Sequence, residues 1–349
     1  MDEVYILDAL NLIFRSYYAI APMTNNKGHT TSALYGFIRS VQKIIKEFSP
    51  NYLVAVFDGP DNTKSRTAVY SEYKMNRKEA PDDLYPQIEW AYHYCELAGI
   101  PAISIPGIEA DDTMASISLW AKSQKAKSFI CTSDKDLFQL VDDSIFVINI
   151  HKNNLFVDKE KVEEIYGVRP DQMLDFLAIM GDSADNIPGL PGFGPKTAAL
   201  LLQQFGTLDA ILKNPEKVSG KKKQQTLVEE KEKALLSKEL ATLHINADIP
   251  KTSSFYLLQS PDLEKLETFF QKNNFTSMLK GTLKELQKPQ EEETFYLTIE
   301  NKKDLQELID TFSKEKEICI DTETTDLDPM KAKIVGNVPS STIYRPREC

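Results

Sequence analysis

The chain has 349 residues, 42% hydrophobic and 27% charged, with a net charge of −11. That length admits two domains and a smaller third piece, and the composition is ordinary for a globular protein. No apolar run nears the ~20 residues a bilayer span needs, and the start, "MDEVYILDALNL", has neither a basic leader nor a cleavage site, so a membrane or secreted protein is not expected.

Apolar, β-rich runs that end in an acid recur early in the chain: "VYIL" before Asp8, "YLVAVF" before Asp58 and "FICTS" before Asp134. Runs of this kind predict strands covered on both faces, as in a parallel sheet. Helical patterns alternate with them over 31–48, 83–99 and 112–124, the second closing on a Gly signal. The order predicts a doubly wound, mostly parallel α/β sheet through about residue 150. From 158 the pattern turns helical: "DKEKVEEIYG", "RPDQMLDFLAIMG" with Pro170 at a first-turn position, then "KTAALLLQQFG" and further helices. "KELQKPQEEE" reads as a linker. Beyond it, "TFYLTIE", "KKDLQELIDTFSKE" and "EICIDTETTDLD" begin a new β-α-β unit that the remaining residues are too few to complete. The expected organisation is an α/β core over 1–157, a helical subdomain over 158–283, a linker over 284–294 and an incomplete β-α-β piece over 295–349.

In open α/β sheets ligands bind outside the carboxyl ends of the strands, where Asp8, Asp58 and Asp134 converge. Glu109, Asp111 and Asp112 in "IEADD", Asp136 in "SDKD", and Asp182 and Asp185 in "GDSAD" join them. Two of these pairs, Glu109 with Asp112 and Asp182 with Asp185, are spaced to share a helical face. A single Asp at a strand end can simply cap the next helix; capping is a poor account of all nine together. So many like charges need a counter-charge. Oxygen-only donors without His or Cys suit magnesium or manganese, and a pair of such ions serves phosphodiester hydrolysis.

The segment "PGLPGFGPKTAA" runs into a helix, with Gly189, Gly192, Gly194, Lys196 and Thr197 placed to meet a phosphate through backbone N–H groups and one ammonium. Its spacing is not that of a nucleotide P-loop; a helix–hairpin–helix on a nucleic-acid backbone fits better, against a plain helix–helix turn. Residues 61–80 carry five Lys or Arg against three Asp or Glu, with Tyr70 and Tyr73 between them. Each tyrosine is a candidate stacking platform for an unpaired base, worth ~1–3 kcal/mol. Arg15 and Tyr18 either line the site or pack beneath it, and "GKKKQQ" at 220–225 is expected as an exposed loop in preference to a set of phosphate contacts. The net charge alone does not favour a polyanionic partner. It is a global sum, however, and acids masked by metal do not count against one. Cys95, Cys131, Cys319 and Cys349 fall at no zinc or disulfide spacing, which suits a reducing cytoplasm.

The stretches "LDALNLIFRSYYA", "VFDGPDNTKSRTAVYSEYKMNRKEAPDDL", "GIEADD", "TSDKDLFQLV" and "GDSADNIPGLPGFGPKTA" together resemble, in order, the flap endonuclease family, in the form of the 5′-nuclease region at the N-terminus of bacterial DNA polymerase I. The resemblance implies a 5′-nuclease (PIN-like) fold and metal-dependent cleavage near 5′ single-strand/duplex junctions, acting on flaps, nicks and RNA primers. It assigns Asp8, Asp58, Glu109, Asp111 and Asp112 to a first metal cluster and Asp134, Asp136, Asp182 and Asp185 to a second. Lys74 and Arg77 become the catalytic cations at the scissile phosphate. The hairpin holds the duplex, with a potassium ion; Arg15, Tyr70 and Tyr73 are expected to contact DNA on the reading of the residues above, not by the resemblance. A monomer associated with the nucleoid is expected. "IDTETTDLD", with Asp321 and Glu323, resembles the first motif of a 3′–5′ proofreading domain, whereas "NVPSSTIYRPREC" does not resemble that domain's continuation. A truncated or frameshifted chain without proofreading or polymerase activity is therefore expected. The competing expectations are a non-catalytic DNA-junction-binding module and a metal-dependent ribonuclease on a related fold.

Overall fold

In the computed structural model, residues 1–77, 79–286, 301–313, 319–325, 331 and 333–340 are described. The chain divides into two compact units, Met1–Lys288 and Pro289–Cys349. The first is organised by β1 (Glu3–Asp8), whose central residues Val4–Leu7 are buried and apolar toward both faces. Val4 and Ile6 enter one hydrophobic core while Tyr5 and Leu7 enter the other, as the two-residue period of a strand requires. There follow α1 (Ala9–Ala19), α2 (Ser32–Phe48), β2 (Leu53–Phe57), α3 (Lys64–Val69), α4 (Tyr85–Leu97), β3 (Ala102–Ser104), α5 (Ala110–Ser123), β4 (Lys127–Cys131), β5 (Ile145–Asn149) and β6 (Leu155–Val157).

The sheet runs β3-β2-β1-β4-β5-β6, parallel throughout except for β6, which is antiparallel to β5. It is thus the expected mostly parallel α/β sheet. β3, β5 and β6 were not among the expected strands. β3 and β6 have three residues each, too few to show a period, and the buried run of β5 is followed by no acid. The strand order reverses direction at β1 and β4, the switch point that leaves a crevice at the carboxyl ends.

The helical half contains α6 (Lys159–Tyr166), α7 (Met173–Met180), α8 (Pro195–Phe205), α9 (Leu208–Lys213), α10 (Lys221–Glu229) and α11 (Lys231–Ala241). Lys221–Lys223, expected in a loop, open α10. Two further helices, α12 (Leu263–Lys272) and α13 (Thr276–Leu286), do not pack with this group. Their apolar residues Leu266, Phe269, Phe270 and Met278, with Phe275 between the two helices, join the core beside Leu34, Phe37 and Tyr94. They therefore cover the α2 and α4 side of the sheet. α13 also takes up Lys284–Leu286, the first residues of the expected linker; 287–294 and the strand expected at "TFYLTIE" lie outside the described residues. In the second unit, α14 (Lys302–Phe312) precedes an antiparallel pair, β7 (Cys319–Thr324) and β8 (Ile334–Ser340), with Asp321 opposite Val338 and Glu323 opposite Gly336.

The turn between α7 and α8 is built on two glycines pressed backbone to backbone. Gly181 (φ +73°) and Gly189 (φ +61°) are both left-handed, and a Cβ at Gly189 would stand 2.5 Å from the Gly181 nitrogen. Gly194 is different: its φ is −91° and a Cβ there would meet nothing within 4 Å. Gly189→Ala is expected to cost roughly 2 kcal/mol or more in urea denaturation, and Gly194→Ala less than about 0.5 kcal/mol. Equal costs would contradict this account of the turn.

Candidate active site

Three acids reach the crevice from strand ends and also serve the local fold. Asp8 ends β1 and caps α1: its Oδ1 accepts from the Asn11 N–H at 3.1 Å, and its Oδ2 accepts from the Thr132 hydroxyl at 2.7 Å. Asp58, just past β2, accepts from the Ala110 N–H at 2.7 Å and so caps α5. Asp134 donates its N–H to Thr132 Oγ1 and accepts from the Asp136 N–H at 2.9 Å. Capping and membership of the acid cluster are therefore not alternatives here; the same carboxylates do both.

The crowding has an electrostatic cost. Burial pushes Asp8 up to about 7, and the charges of Asp134 and Asp58 add to this against the hydrogen bonds from Thr132 and Asn11. Burial, then Asp134, likewise lifts Asp136 to about 7. Asp111 is driven well above the usual carboxylate range by burial and by Asp134 and Asp8. Asp182 goes the other way: burial opposes its charge, but the Lys135 ammonium holds it below its ordinary value.

Among the described residues no three His, Cys, Asp or Glu side chains are gathered closely enough to cage a metal by themselves. Cations are interposed instead. Arg66, 5% exposed, donates to Glu109 and to both oxygens of Asp112 at 2.9 Å. The same guanidinium also donates to the carbonyls of Leu240 and Thr242 at the end of α11. Lys74 pairs with Glu109 and lies 3.8 Å from Asp185 Oδ2. Arg77 donates to Asp185 Oδ1, and Lys135 pairs with Asp182. Asp112 is set apart from the other acids, since its Oδ1 also accepts from the His244 N–H.

The segment carrying Lys74 and Arg77 is clipped to the "GDSAD" turn. The Lys74 N–H donates to the Asp185 carbonyl at 2.9 Å, and Asn186 Nδ2 donates to the Glu72 carbonyl at 2.7 Å. Lys74 and Asn186 both adopt φ +56°, a conformation Asn tolerates and Lys seldom does. The turn is not the helical face expected for Asp182 and Asp185. Asp182 and Ile187 exchange backbone hydrogen bonds across a bridge, and Asp182 Oδ1 accepts from the Ala184 N–H.

Tyr73 departs from its expected place as a stacking platform. It is 5% exposed, and its hydroxyl lies 3.4 Å from both Glu109 Oε2 and Asp185 Oδ2, with one proton to share between them. Its ring belongs to the core, so no base can lie on it. Tyr70 is half-buried and donates to Glu72, while Arg15 is exposed on α1. In the hairpin, Gly192 has φ +81° with open space around it, Lys196 is exposed, and Lys223 of α10 reaches Thr197 Oγ1 at 3.5 Å. Arg66, Lys135 and Thr132 were missed from sequence. Lys135 had a signal, a lysine wedged between two acids; Arg66 had none, because its partners are distant in the chain.

Two outcomes test these electrostatics. Between the ordinary carboxylate range and about pH 7 the native state holds protons on Asp8 and Asp136 that the unfolded chain has lost, so stability falls as pH rises. With chelator present, Tm should therefore decline across that window, and Asp8→Asn should flatten the decline and raise Tm by roughly 4 °C near neutrality. Arg66→Met should cost about 3–5 kcal/mol in chemical denaturation, because Glu109 and Asp112 stay buried without their cation; a cost below ~1 kcal/mol would contradict the clamp.

Residues 3–167 match the family described as 5′-3′ exonuclease, N-terminal resolvase-like domain, and residues 168–264 match the 5′-3′ exonuclease C-terminal SAM fold. A 5′-3′ exonuclease of Aquifex aeolicus is 40% identical over 280 residues, which is 80% of this chain and 95% of that protein. A DNA polymerase I of Borreliella burgdorferi is 36% identical over 96% of this chain, which spans 40% of that protein's length. Among solved structures, T5 5′-exonuclease with bound zinc has a TM-score of 0.60 at 20% identity, covering 81% of this chain and 98% of that one. The catalytic core of Rad2 in complex with DNA substrate has a TM-score of 0.56 at 19% identity, covering 82% and 93%. These two share the fold. By sequence, the chain belongs to the 5′-3′ exonuclease family.

Proposed function

We propose that this 5′-3′ exonuclease is a structure-selective nuclease that uses two or more divalent ions, Mg2+ or Mn2+, to cut DNA or RNA-primer phosphodiesters where a 5′ single strand meets duplex. The observation that carries the reading is the set of acids at the sheet's switch point, with Lys74 and Arg77 clipped among them. The donors fit a hard divalent cation: all are carboxylate oxygens, several are buried against their own charge, and Asp136 Oδ1 is buried with no hydrogen-bond partner. Asp8, Asp58, Glu109 and Asp111 would hold one ion, and Asp134, Asp136, Asp182 and Asp185 another. Asp112, committed to Arg66, braces Glu109. Such ions, when bound, supply an activated water and charge neutralisation at the phosphate.

The protein's own groups do the rest. Lys74 and Arg77 hold the scissile phosphate and meet the charge that develops on its oxygens. The open backbone at Gly192 and Gly194, with Lys196 and Thr197, grips the duplex, with Gly189 shaping the turn beneath; a potassium ion held at this turn would add positive charge toward the backbone phosphates. Arg15 and Tyr70 meet the single strand, and the protein acts as a monomer. The T5 exonuclease solved with divalent metal and the Rad2 core solved on DNA support this reading by their shared fold. A 5′-flap substrate with magnesium should be cut near the junction. Chelator or Asp182→Ala should abolish cutting, and Lys74→Ala should lower kcat about 100-fold or more. Cutting that survives chelator would sink the metal mechanism, and tight binding without cutting would favour a non-catalytic junction binder.

A further inference from the structure

Lys135 stands between two acids assigned above to the second ion. Its ammonium hydrogen-bonds Asp182 Oδ2 and lies 3.6 Å from Asp136 Oδ1, too far for a hydrogen bond. That Asp136 oxygen is the buried one left without a hydrogen-bond partner. A positive charge placed to bridge Asp136 and Asp182 would have to occupy the space the ammonium already fills. Resting on the metal-dependent reading, we propose that Lys135 is a built-in counter-cation, which holds Asp136 and Asp182 together in the metal-free protein and is displaced when a divalent ion takes the pair.

The contrast with Arg66 shows why lysine suits this task. The Arg66 guanidinium is 5% exposed and fixed by two carboxylates and two carbonyls, so it is a permanent clamp. Lys135 carries a compact charge on a flexible stem, makes one good hydrogen bond, and is 30% exposed, which leaves it a route to solvent. It occupies the site when metal is absent and can leave without breaking the fold. Metal binding there is therefore always measured against an ion pair that must first break. Lys135 is thus a positioning residue whose removal strengthens metal binding rather than weakening it.

Mn2+ titration calorimetry on DNA-free full chain, with melting curves in EDTA, tests this for wild type, Lys135→Met, Lys135→Gln and Lys135→Arg. The neutral variants should bind one Mn2+ about tenfold more tightly and melt lower than wild type in EDTA. Lys135→Arg, with a guanidinium that grips carboxylates bidentately, should bind that ion more weakly than wild type. Unchanged or weakened Mn2+ binding in both neutral variants, with wild type binding normally, would overturn the counter-cation and leave the nuclease reading intact. No Mn2+ binding by any of the four proteins would overturn the metal-dependent reading, and this inference with it.

Discussion

Mutual repulsion among carboxylates crowded at one end of a parallel sheet is the constraint around which this molecule is arranged. The charge of Asp134 stands close enough to Asp8, Asp111 and Asp136 to raise the proton affinity of those three, Asp58 adds to this at Asp8, and burial removes the water that would screen them. The chain answers with cations drawn from separate places. Arg66 comes from α3, Lys74 and Arg77 from the segment after it, and Lys135 from the loop after β4. Several acids also accept backbone N–H groups, so part of their charge is offset by helix starts. In the proposed reading, a site that attracts metal and then phosphate is thereby kept foldable before either arrives.

The same cations tie the two halves of the first unit together. Arg66 joins the start of α5 to the end of α11 through one buried guanidinium, and the Lys74 backbone hydrogen-bonds the turn between α7 and α8. That turn places Asp182 and Asp185 at the crevice while Gly192, Gly194 and Lys196 face open space farther along. Acids that repel phosphate and a loop suited to receive it can thus sit within one short segment. In the proposed reading they address different phosphates, and the rigid Gly181–Gly189 contact sets the distance between cutting and holding.

Much of this was legible in the residues. The strands ending at Asp8 and just before Asp58 were visible because a strand buried on both faces is apolar at every position, and the helices because their apolar periods are long. β3, β5 and β6 were not visible, being too short or lacking the acid that marked the others. The packing of α12 and α13 was also hidden: their amphipathic pattern says that a face is buried, but not against which partner.

Chemistry divides in the same way. Sequence alone determined which acids exist, their order, and the Gly-rich turn, because these depend on residue identity and local spacing. Only the tertiary structure decided which acids stand free and which are clamped. It drew Asp112 to Arg66, buried the Tyr73 ring that looked like a stacking platform, replaced the helical pairing of Asp182 and Asp185 with a bridged turn, and set Lys135 between Asp136 and Asp182. The reason is physical: charge pairing and burial act through space, the Arg66 guanidinium reaching a carbonyl 176 residues away in the chain, and no local pattern records those distances.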